Sequence, residues 1–253
     1  MESLDESRHG GDEGRPQGPW IVGTITTASG LSFLKTALSP AHLVEVRLDA
    51  LLEAGVPLRE VHAHLAERTQ PALLTLRSPD EGGRRQWAGG ERERILDELS
   101  PVADVLDVEY RSLPQLREWW ERARLEGRRR ILSTHWLEGS PGEGRVLEHC
   151  SLLESAAPDW AKIALRLRAP EDLRTLARVL LERRSQAWAL MGIGSWGGLS
   201  RIVLSALGSA LAYGYLDLPG AAGQPSVDEL VNGFRCVGLA PSSDRRMMRA
   251  PRR

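Results

Sequence analysis

The sequence predicts a single α/β domain built as a (β/α)₈ barrel. Short β-branched or apolar runs alternate with helical segments eight times along the chain, at a spacing of roughly 20–30 residues. Strict alternation of strands and helices is typical of a parallel sheet, and eight such units favour closure into a barrel. Counting alone leaves a doubly wound open sheet as the alternative.

The second predicted strand supports the barrel. In VEVRLD apolar and charged side chains alternate, so one face of the strand carries Glu45, Arg47 and Asp49. A charged face needs a reason in a parallel sheet that is covered on both sides. It belongs either to an edge strand in solvent or to the mouth of a barrel, where the charges pair and bind a polar ligand.

The predicted elements follow one another without a long gap. The strands are WIVGTITT from Trp20, LVEVRLD from Leu43, PALLTLR from Pro71, DVLDVE from Asp104, RRILSTH from Arg129, DWAKIAL from Asp159, AWALMGIG from Ala187 and SALAYGYL from Ser209. Predicted helices include GERERILDELS, LPQLREWWERARLE, PEDLRTLARVLLERR and SVDELVNGFR. The last two begin at Pro170 and Ser226 and continue with acidic residues, as helix N-termini prefer.

Composition limits the classes of function. The chain has 253 residues and a net charge of −1, so it has no overall field for nucleic acid or an anionic membrane. Its two cysteines lie far apart without a CxxC motif, and no apolar run approaches the ~18 residues of a membrane span. We therefore expect a cytoplasmic protein with a disordered tail at 1–18, a catalytic barrel at 19–238 and a basic disordered tail at 239–253.

Lysine usage singles out one residue. Of the 33 lysines and arginines only Lys35 and Lys162 are lysines, and Lys162 lies inside the apolar run of the sixth predicted strand. Arginine stays protonated, whereas a buried lysine can lose its proton and attack a carbonyl. Lys162 is therefore a candidate Schiff-base nucleophile; half of a buried ion pair with Glu45 or Glu109 is the alternative.

Polar residues recur where the predicted strands end. A barrel places its active site at that face, so these residues should meet around one rim. A strand lysine, a strand-end histidine and a strand-end glutamate supply the nucleophile, general base and orienting group of Schiff-base chemistry. In strand order the set is Glu45, Arg47, Asp49, Arg77, Glu109, His135 and Lys162, with Arg201 and Gln224 in the segments after the last two strands.

A glycine pattern after the seventh strand competes with this interpretation. MGIGSWGGLSR contains GxGxxG, and Asp217 follows at the distance of a dinucleotide fingerprint. That fingerprint usually opens a Rossmann domain at its first strand. In a barrel the loops after strands seven and eight form an anion site, where Arg201 would clamp a carboxylate. We favour the carboxylate over NAD.

Seven blocks of the chain, taken together, resemble the type I 3-dehydroquinate dehydratases. They are VEVRLD, LLTLRSPDEGG, LDVE, ILSTH, DWAKIAL, MGIGSWGGLSR and GSALAYG followed by GQPSVDEL. They come in the order of the family, and the resemblance covers nearly everything from Trp20 to about Gly238. The resemblance implies a (β/α)₈ barrel that dehydrates 3-dehydroquinate to 3-dehydroshikimate in the shikimate pathway. It also implies a homodimer that uses no metal or organic cofactor.

The resemblance assigns roles to residues. It implies that Lys162 forms the Schiff base, that His135 is the general acid and base, and that Glu109 positions His135. It further implies substrate contacts: Glu45, Arg47 and Arg77 at ring hydroxyls, Arg201 at the carboxylate and Gln224 in the closing loop.

The chain also departs from the family. Trp136 and Leu137 replace the common Asp-Phe pair, and the closing loop has Gly220 and Ala222 where the family usually has Ser and Pro. We expect a looser loop and weaker substrate binding rather than lost chemistry. A non-catalytic metabolite sensor and a Schiff-base lyase for a related hydroxy-keto acid remain the alternatives.

Overall fold

The structure, a computed structural model, describes residues 18–36 and 39–243. It contains a parallel sheet whose hydrogen-bonded order is β7-β6-β5-β4-β3-β2-β1-β8. At the start of β8, Ala210 N–H donates to Trp188 O at 2.7 Å, so the sheet curls into a nearly closed barrel. The barrel and all eight predicted strands are confirmed: β1 Trp20–Ile25, β2 Leu43–Arg47, β3 Ala72–Thr75, β4 Val105–Glu109, β5 Arg129–Trp136, β6 Trp160–Arg166, β7 Trp188–Ile193 and β8 Leu211–Tyr215.

Helices surround the barrel. Within the described residues they are α1 Leu48–Glu53, α2 Leu58–Ala66, α3 Glu91–Leu99, α4 Arg117–Leu125, α5 Glu143–Ser155, α6 Pro170–Glu182, α7 Gly197–Ala206 and α8 Val227–Cys236. A 3₁₀ helix, Ser29–Lys35, follows β1, and both α1 and α2 follow β2. Ser226 caps α8, because Glu229 N–H donates to its Oγ at 3.1 Å while its own N–H donates to Glu229 Oε2 at 2.7 Å.

Strand alternation divides the apolar side chains into two layers. Inward-facing residues such as Val22, Leu43 and Val105 fill the barrel near the strand N-termini. The intervening positions, such as Val44 and Leu106, pack under the helices. Polar inward positions are thereby confined to the strand C-termini. In the described part of the chain, no helix has the length and apolar character needed to cross a membrane.

The C-terminal segment packs against the residues that precede β1 and β2. Ser242 N–H donates to Pro19 O at 3.1 Å, and His42 Nε2 donates to Ser242 O at 2.8 Å. Leu239 packs against the apolar cluster around Phe234. Residues 239–243, placed in the tail by the sequence analysis, therefore contact the folded domain. The remainder of the two expected tails lies outside the described residues.

Candidate active site

A cavity of about 100 Å³ opens at the C-terminal ends of the strands. Apolar side chains, among them Met191 and Ile193, form one part of its wall, and charged groups form another. The structure thus combines a surface for a carbon ring with groups for its polar substituents. Seven of the eight expected catalytic and substrate-binding residues line this cavity: Glu45, Arg47, Arg77, His135, Lys162, Arg201 and Gln224.

Lys162 lies buried at the base of the cavity, on β6. Its Nζ is 3.0 Å from Asp107 Oδ2 and 3.7 Å from Glu45 Oε1. Asp107 is a partner that the sequence analysis missed. The signal was present, because Asp107 lies two residues before Glu109 on β4 and must face the same side of the strand.

Asp107 is held as a carboxylate. Ser133 Oγ donates to its Oδ1 at 2.6 Å, and Arg77 Nη2 lies 3.1 Å from the same oxygen. Burial alone would raise the pKa of Asp107, but Arg77 and Lys162 outweigh it and the pKa lies well below the usual range. The floor of the site is therefore an alternating network of buried charges.

His135 is positioned by Glu81, from the 3₁₀ turn Pro79–Glu81. Glu81 Oε2 accepts from the His135 backbone N–H at 3.0 Å and lies 2.8 Å from Nδ1. Burial, followed by the charges of Arg77 and Lys162, lowers the pKa of His135 well below 6.5. The ring is therefore neutral at neutral pH. When Glu81 is ionised, its carboxylate accepts from Nδ1, and the lone pair on Nε2 is free to take a proton.

Glu109 does not contact His135. Its carboxylate accepts from Ser78 N–H and Arg92 Nη2, both at 2.7 Å, and from Ser112 Oγ at 2.9 Å. The expectation that Glu109 positions His135 is corrected on this geometry, since these donors turn Glu109 away from the cavity. Glu109 Oε1 instead lies 3.3 Å from Arg77 Nη1. Glu109 therefore pairs with Arg77, a residue that lines the cavity.

Glu45 and Arg47 point into the barrel from β2, as their alternation predicted. Glu45 accepts from Thr24 Oγ1 and Thr75 Oγ1, each at 2.8 Å. Arg47 donates through Nε and Nη2 to the two carboxylate oxygens of Asp49, each at 2.8 Å. Asp49 itself lies in α1 rather than on the strand, because the helix begins at Leu48 directly after Arg47.

Arg201, on α7, is buried without an acidic partner among the described residues. Its Nε donates to Tyr213 O at 2.7 Å, and its Nη1 donates to Gly192 O at 2.9 Å and Gly197 O at 2.8 Å. Burial lowers its pKa to about 10, so it remains a cation at neutral pH. A buried, unpaired cation is costly, and an anionic ligand in the cavity would offset that cost.

The closing loop, residues 216–225, covers the cavity. Gln224 Oε1 accepts from Gly220 N–H at 2.9 Å, and Gly194 N–H donates to Ala222 O at 2.8 Å. Gly223 has φ +72°, and a Cβ there would lie 1.8 Å from Gly194 O. A Cβ on Gly197, the last glycine of the GxGxxG pattern, would lie 2.4 Å from Gly223 O. Glycine on both sides of this contact therefore allows the closing loop to pack on the β7–α7 loop.

Asp217, the acidic residue of the apparent dinucleotide fingerprint, anchors the closing loop. Its Oδ2 accepts from the backbone N–H groups of Thr26 and Thr27 at 2.7 and 2.8 Å. The carboxylate thus connects the end of β8 to the loop after β1. This structural role accounts for Asp217, so the residue need not bind the ribose of a dinucleotide.

Comparison with known proteins agrees with the geometry. Residues 24–241 match the family model of type I 3-dehydroquinase. The 3-dehydroquinate dehydratases of Methanocella arvoryzae and Methanosarcina barkeri are 30% and 32% identical, covering 87% and 83% of this chain and 98% and 91% of those proteins. A type I 3-dehydroquinate dehydratase from Clostridium difficile, solved with covalent modified comenic acid, superimposes with a TM-score of 0.76 at 22% identity, covering 88% of this chain and 93% of that one.

Proposed function

The chain belongs to the type I 3-dehydroquinase family and is a 3-dehydroquinate dehydratase of the shikimate pathway, and we propose that it works through a Schiff base on Lys162. The observation that carries this mechanism is the position of Lys162: it is one of two lysines in the chain, buried at the base of a cavity, with a neutral histidine in the same cavity. An amine nucleophile and a neutral base are what imine-assisted elimination requires.

The first step joins the substrate to the enzyme. Lys162 Nζ, once deprotonated, attacks the C3 ketone and forms a carbinolamine, which loses water to give an iminium. Asp107 and Glu45 hold the amine at the base of the cavity before attack. The positive iminium withdraws electrons from the adjacent carbon, so the hydrogens at C2 become acidic.

His135 carries out the elimination. Nε2 of its neutral ring takes the C2 proton, and the electron pair moves towards the iminium nitrogen to give an enamine. Collapse of the enamine expels the C1 hydroxyl, which receives the proton from Nε2 and leaves as water. Hydrolysis of the imine then releases 3-dehydroshikimate and free Lys162. Glu81 stabilises the transient imidazolium through Nδ1.

The remaining residues orient the ring. Arg201 binds the substrate carboxylate, because it is a buried cation with no acidic partner of its own among the described residues. Glu45, Arg47 and Arg77 hold ring hydroxyls, and Gln224 contacts the ring from the closing loop. One fixed orientation brings C2 towards His135 and C3 towards Lys162.

Borohydride trapping tests the mechanism, and the chain provides its own control. The protein is mixed with 3-dehydroquinate, reduced and mapped by mass spectrometry. We expect a ligand-sized mass gain on the peptide that contains Lys162 and none on the peptide that contains Lys35, which pairs with Glu67 at the surface. Turnover without an adduct on Lys162 would disprove the Schiff base. An adduct without turnover would favour a metabolite sensor.

We also propose a homodimer located in the cytoplasm. The family resemblance supports the dimer. The two cysteines support a reducing compartment, since Cys150 is buried, Cys236 is exposed and both are free. Light scattering of the purified chain tests the dimer: a mass of 27.9 kDa would mean a monomer and contradict it.

A further inference from the structure

Lys162 Nζ is surrounded by one side chain from each of the other even-numbered strands. Asp107 and Glu45 contribute carboxylates, and Tyr213 contributes its aromatic face, with the ring centroid 4.0 Å from Nζ. A ring face stabilises a nearby cation. Phenylalanine would provide the same face, so the contact with Lys162 does not explain the tyrosine hydroxyl.

The Tyr213 hydroxyl is buried and unpartnered. Tyr213 is 3% exposed, and its Oη has no hydrogen-bond partner among the described residues. Leaving a buried hydroxyl without a partner destabilises the folded protein. Burial, followed by the charges of Glu45 and Asp107, raises the pKa of Tyr213 well above 10.0. The hydroxyl therefore keeps its hydrogen and is available as a donor.

The neighbouring acceptors are already engaged. Both oxygens of Glu45 accept from threonines, Thr24 and Thr75. Asp107 Oδ1 accepts from Ser133 Oγ, and its Oδ2 accepts from Lys162. Tyr213 Oη has no partner among the described residues and its side chain lines the cavity, so a ligand bound there can supply the acceptor.

We propose that the Tyr213 hydroxyl donates a hydrogen bond to the ketone oxygen of the substrate while Lys162 adds to the ketone carbon. This inference rests on the proposed function. The ketone oxygen is bonded to the carbon that joins Nζ, so it is the substrate oxygen nearest to the amine and to the ring beside it. Tyr213 is then a catalytic residue for forming the imine.

The electron flow explains why a donor is needed there. As the N–C bond forms, the π electrons of the carbonyl move onto its oxygen. Two of the three hydrogens of the Lys162 ammonium end on that oxygen: the attacking nitrogen gives up one to form the carbinolamine, and the proton that the ammonium released before attack converts the hydroxyl to water. The water leaves as the C–O bond breaks, and the iminium nitrogen keeps the third hydrogen. Tyr213 transfers no proton in these steps. Its hydrogen bond stabilises the negative charge that develops on the oxygen.

Tyr213→Phe tests the proposal, because it keeps the ring and the backbone carbonyl that accepts from Arg201. Protein and 3-dehydroquinate are mixed rapidly and quenched with borohydride, and the Lys162 adduct is measured against time. We expect adduct formation to slow by on the order of tenfold to a hundredfold. The melting temperature of the free protein should stay the same or rise, since an unsatisfied group is removed. Tyr110→Phe is the matched control, because its ring packs on His149 outside the barrel.

The outcomes separate this inference from the proposed function. If the wild-type chain forms no adduct, the proposed function fails and the role of Tyr213 fails with it. If wild type and Tyr213→Phe form the adduct at the same rate, only the role of Tyr213 is wrong. A lower melting temperature with an unchanged rate of adduct formation would mean that the hydroxyl is structural, and would also overturn the inference.

Discussion

His135 Nδ1 lies 2.8 Å from Glu81 Oε2, and the same oxygen accepts the His135 backbone N–H at 3.0 Å. Two donors from one residue therefore meet on a single carboxylate oxygen. This fixes the rotation of the imidazole, and in the ionised form of Glu81 it also fixes the tautomer, with Nε2 left as the acceptor. The contact also stabilises the imidazolium that forms when Nε2 takes a proton, as the orienting carboxylate does in other histidine-dependent sites.

The first prediction concerns the charge of His135. Burial and the neighbouring cations lower its pKa, so the ring should stay neutral as the pH falls through 6.5 and gain a proton only at lower pH. Nitrogen chemical shifts of the histidine rings, assigned with His135→Asn, measure this directly. A ring that is half protonated at pH 6.5 or above would contradict the neutral base.

The second prediction concerns Glu81→Gln and stability. The pKa of Glu81 is raised from 4.5 to about 7, first by burial, so the folded protein binds the proton more tightly than the unfolded chain. Stability from this group is present below 4.5 and is lost as the pH rises through about 7. Glutamine does not titrate. The variant should therefore gain stability relative to wild type between pH 5 and 8, by on the order of a few kcal/mol.

Denaturant unfolding at several pH values measures that gain, with the exposed Glu60→Gln as the control. A difference between Glu81→Gln and wild type that does not change with pH would show that Glu81 titrates normally. The same variant should lower kcat more than it changes KM, because Glu81 contacts the base rather than the substrate.

Sequence periodicity predicted the parts of the site that lie on strands. Alternation on a strand placed Glu45 and Arg47 inward. Lys162 was found as one of two lysines, inside an apolar strand, and His135 because it ends a strand and barrel topology brings strand ends together. Asp107 obeys the same alternation and was within reach of the same reasoning. The start of α1 directly after Arg47 could not be predicted in this way, because helix and strand patterns overlap at VEVRLD.

The partner of His135 could not be predicted from periodicity. Glu109 ends β4, beside the strand that carries His135, whereas Glu81 lies in a short 3₁₀ turn after β3. Which carboxylate reaches the imidazole depends on the path of that turn across the cavity. It also depends on Arg92 and Ser112, which bind Glu109. Loop paths of this kind arise from tertiary packing and leave no repeat in the sequence.

The third prediction concerns Arg201. If it binds the substrate carboxylate, Arg201→Met should raise KM by on the order of tenfold to a hundredfold, the value of a charge-assisted hydrogen bond. The variant also loses three hydrogen bonds to backbone carbonyls, so its melting temperature should fall.

A carboxamide analogue of the substrate separates the loss of carboxylate binding from the loss of stability. It should bind more weakly than 3-dehydroquinate to wild type, and about as well as 3-dehydroquinate to the variant. Equal discrimination by both proteins would place the carboxylate elsewhere.

The last prediction concerns the closing loop. A Cβ on Gly220 would lie 3.3 Å from Gln224 Oε1 and 3.8 Å from Arg47 Nη1, and both are ends of flexible side chains that can adjust. Gly220→Ser should therefore fit, and it reduces the freedom that the loop loses when it closes, a gain of about 0.4–1 kcal/mol. We expect KM for 3-dehydroquinate to fall by roughly twofold to fivefold, with kcat unchanged or lower because the loop must open to release product.

Gly220→Ala separates the stiffness of the backbone from the effect of the hydroxyl. An equal fall in KM in both variants assigns the effect to the backbone, and a larger fall in the serine variant assigns the excess to a new hydrogen bond. An unchanged KM in Gly220→Ser would show that glycine at this position does not weaken substrate binding.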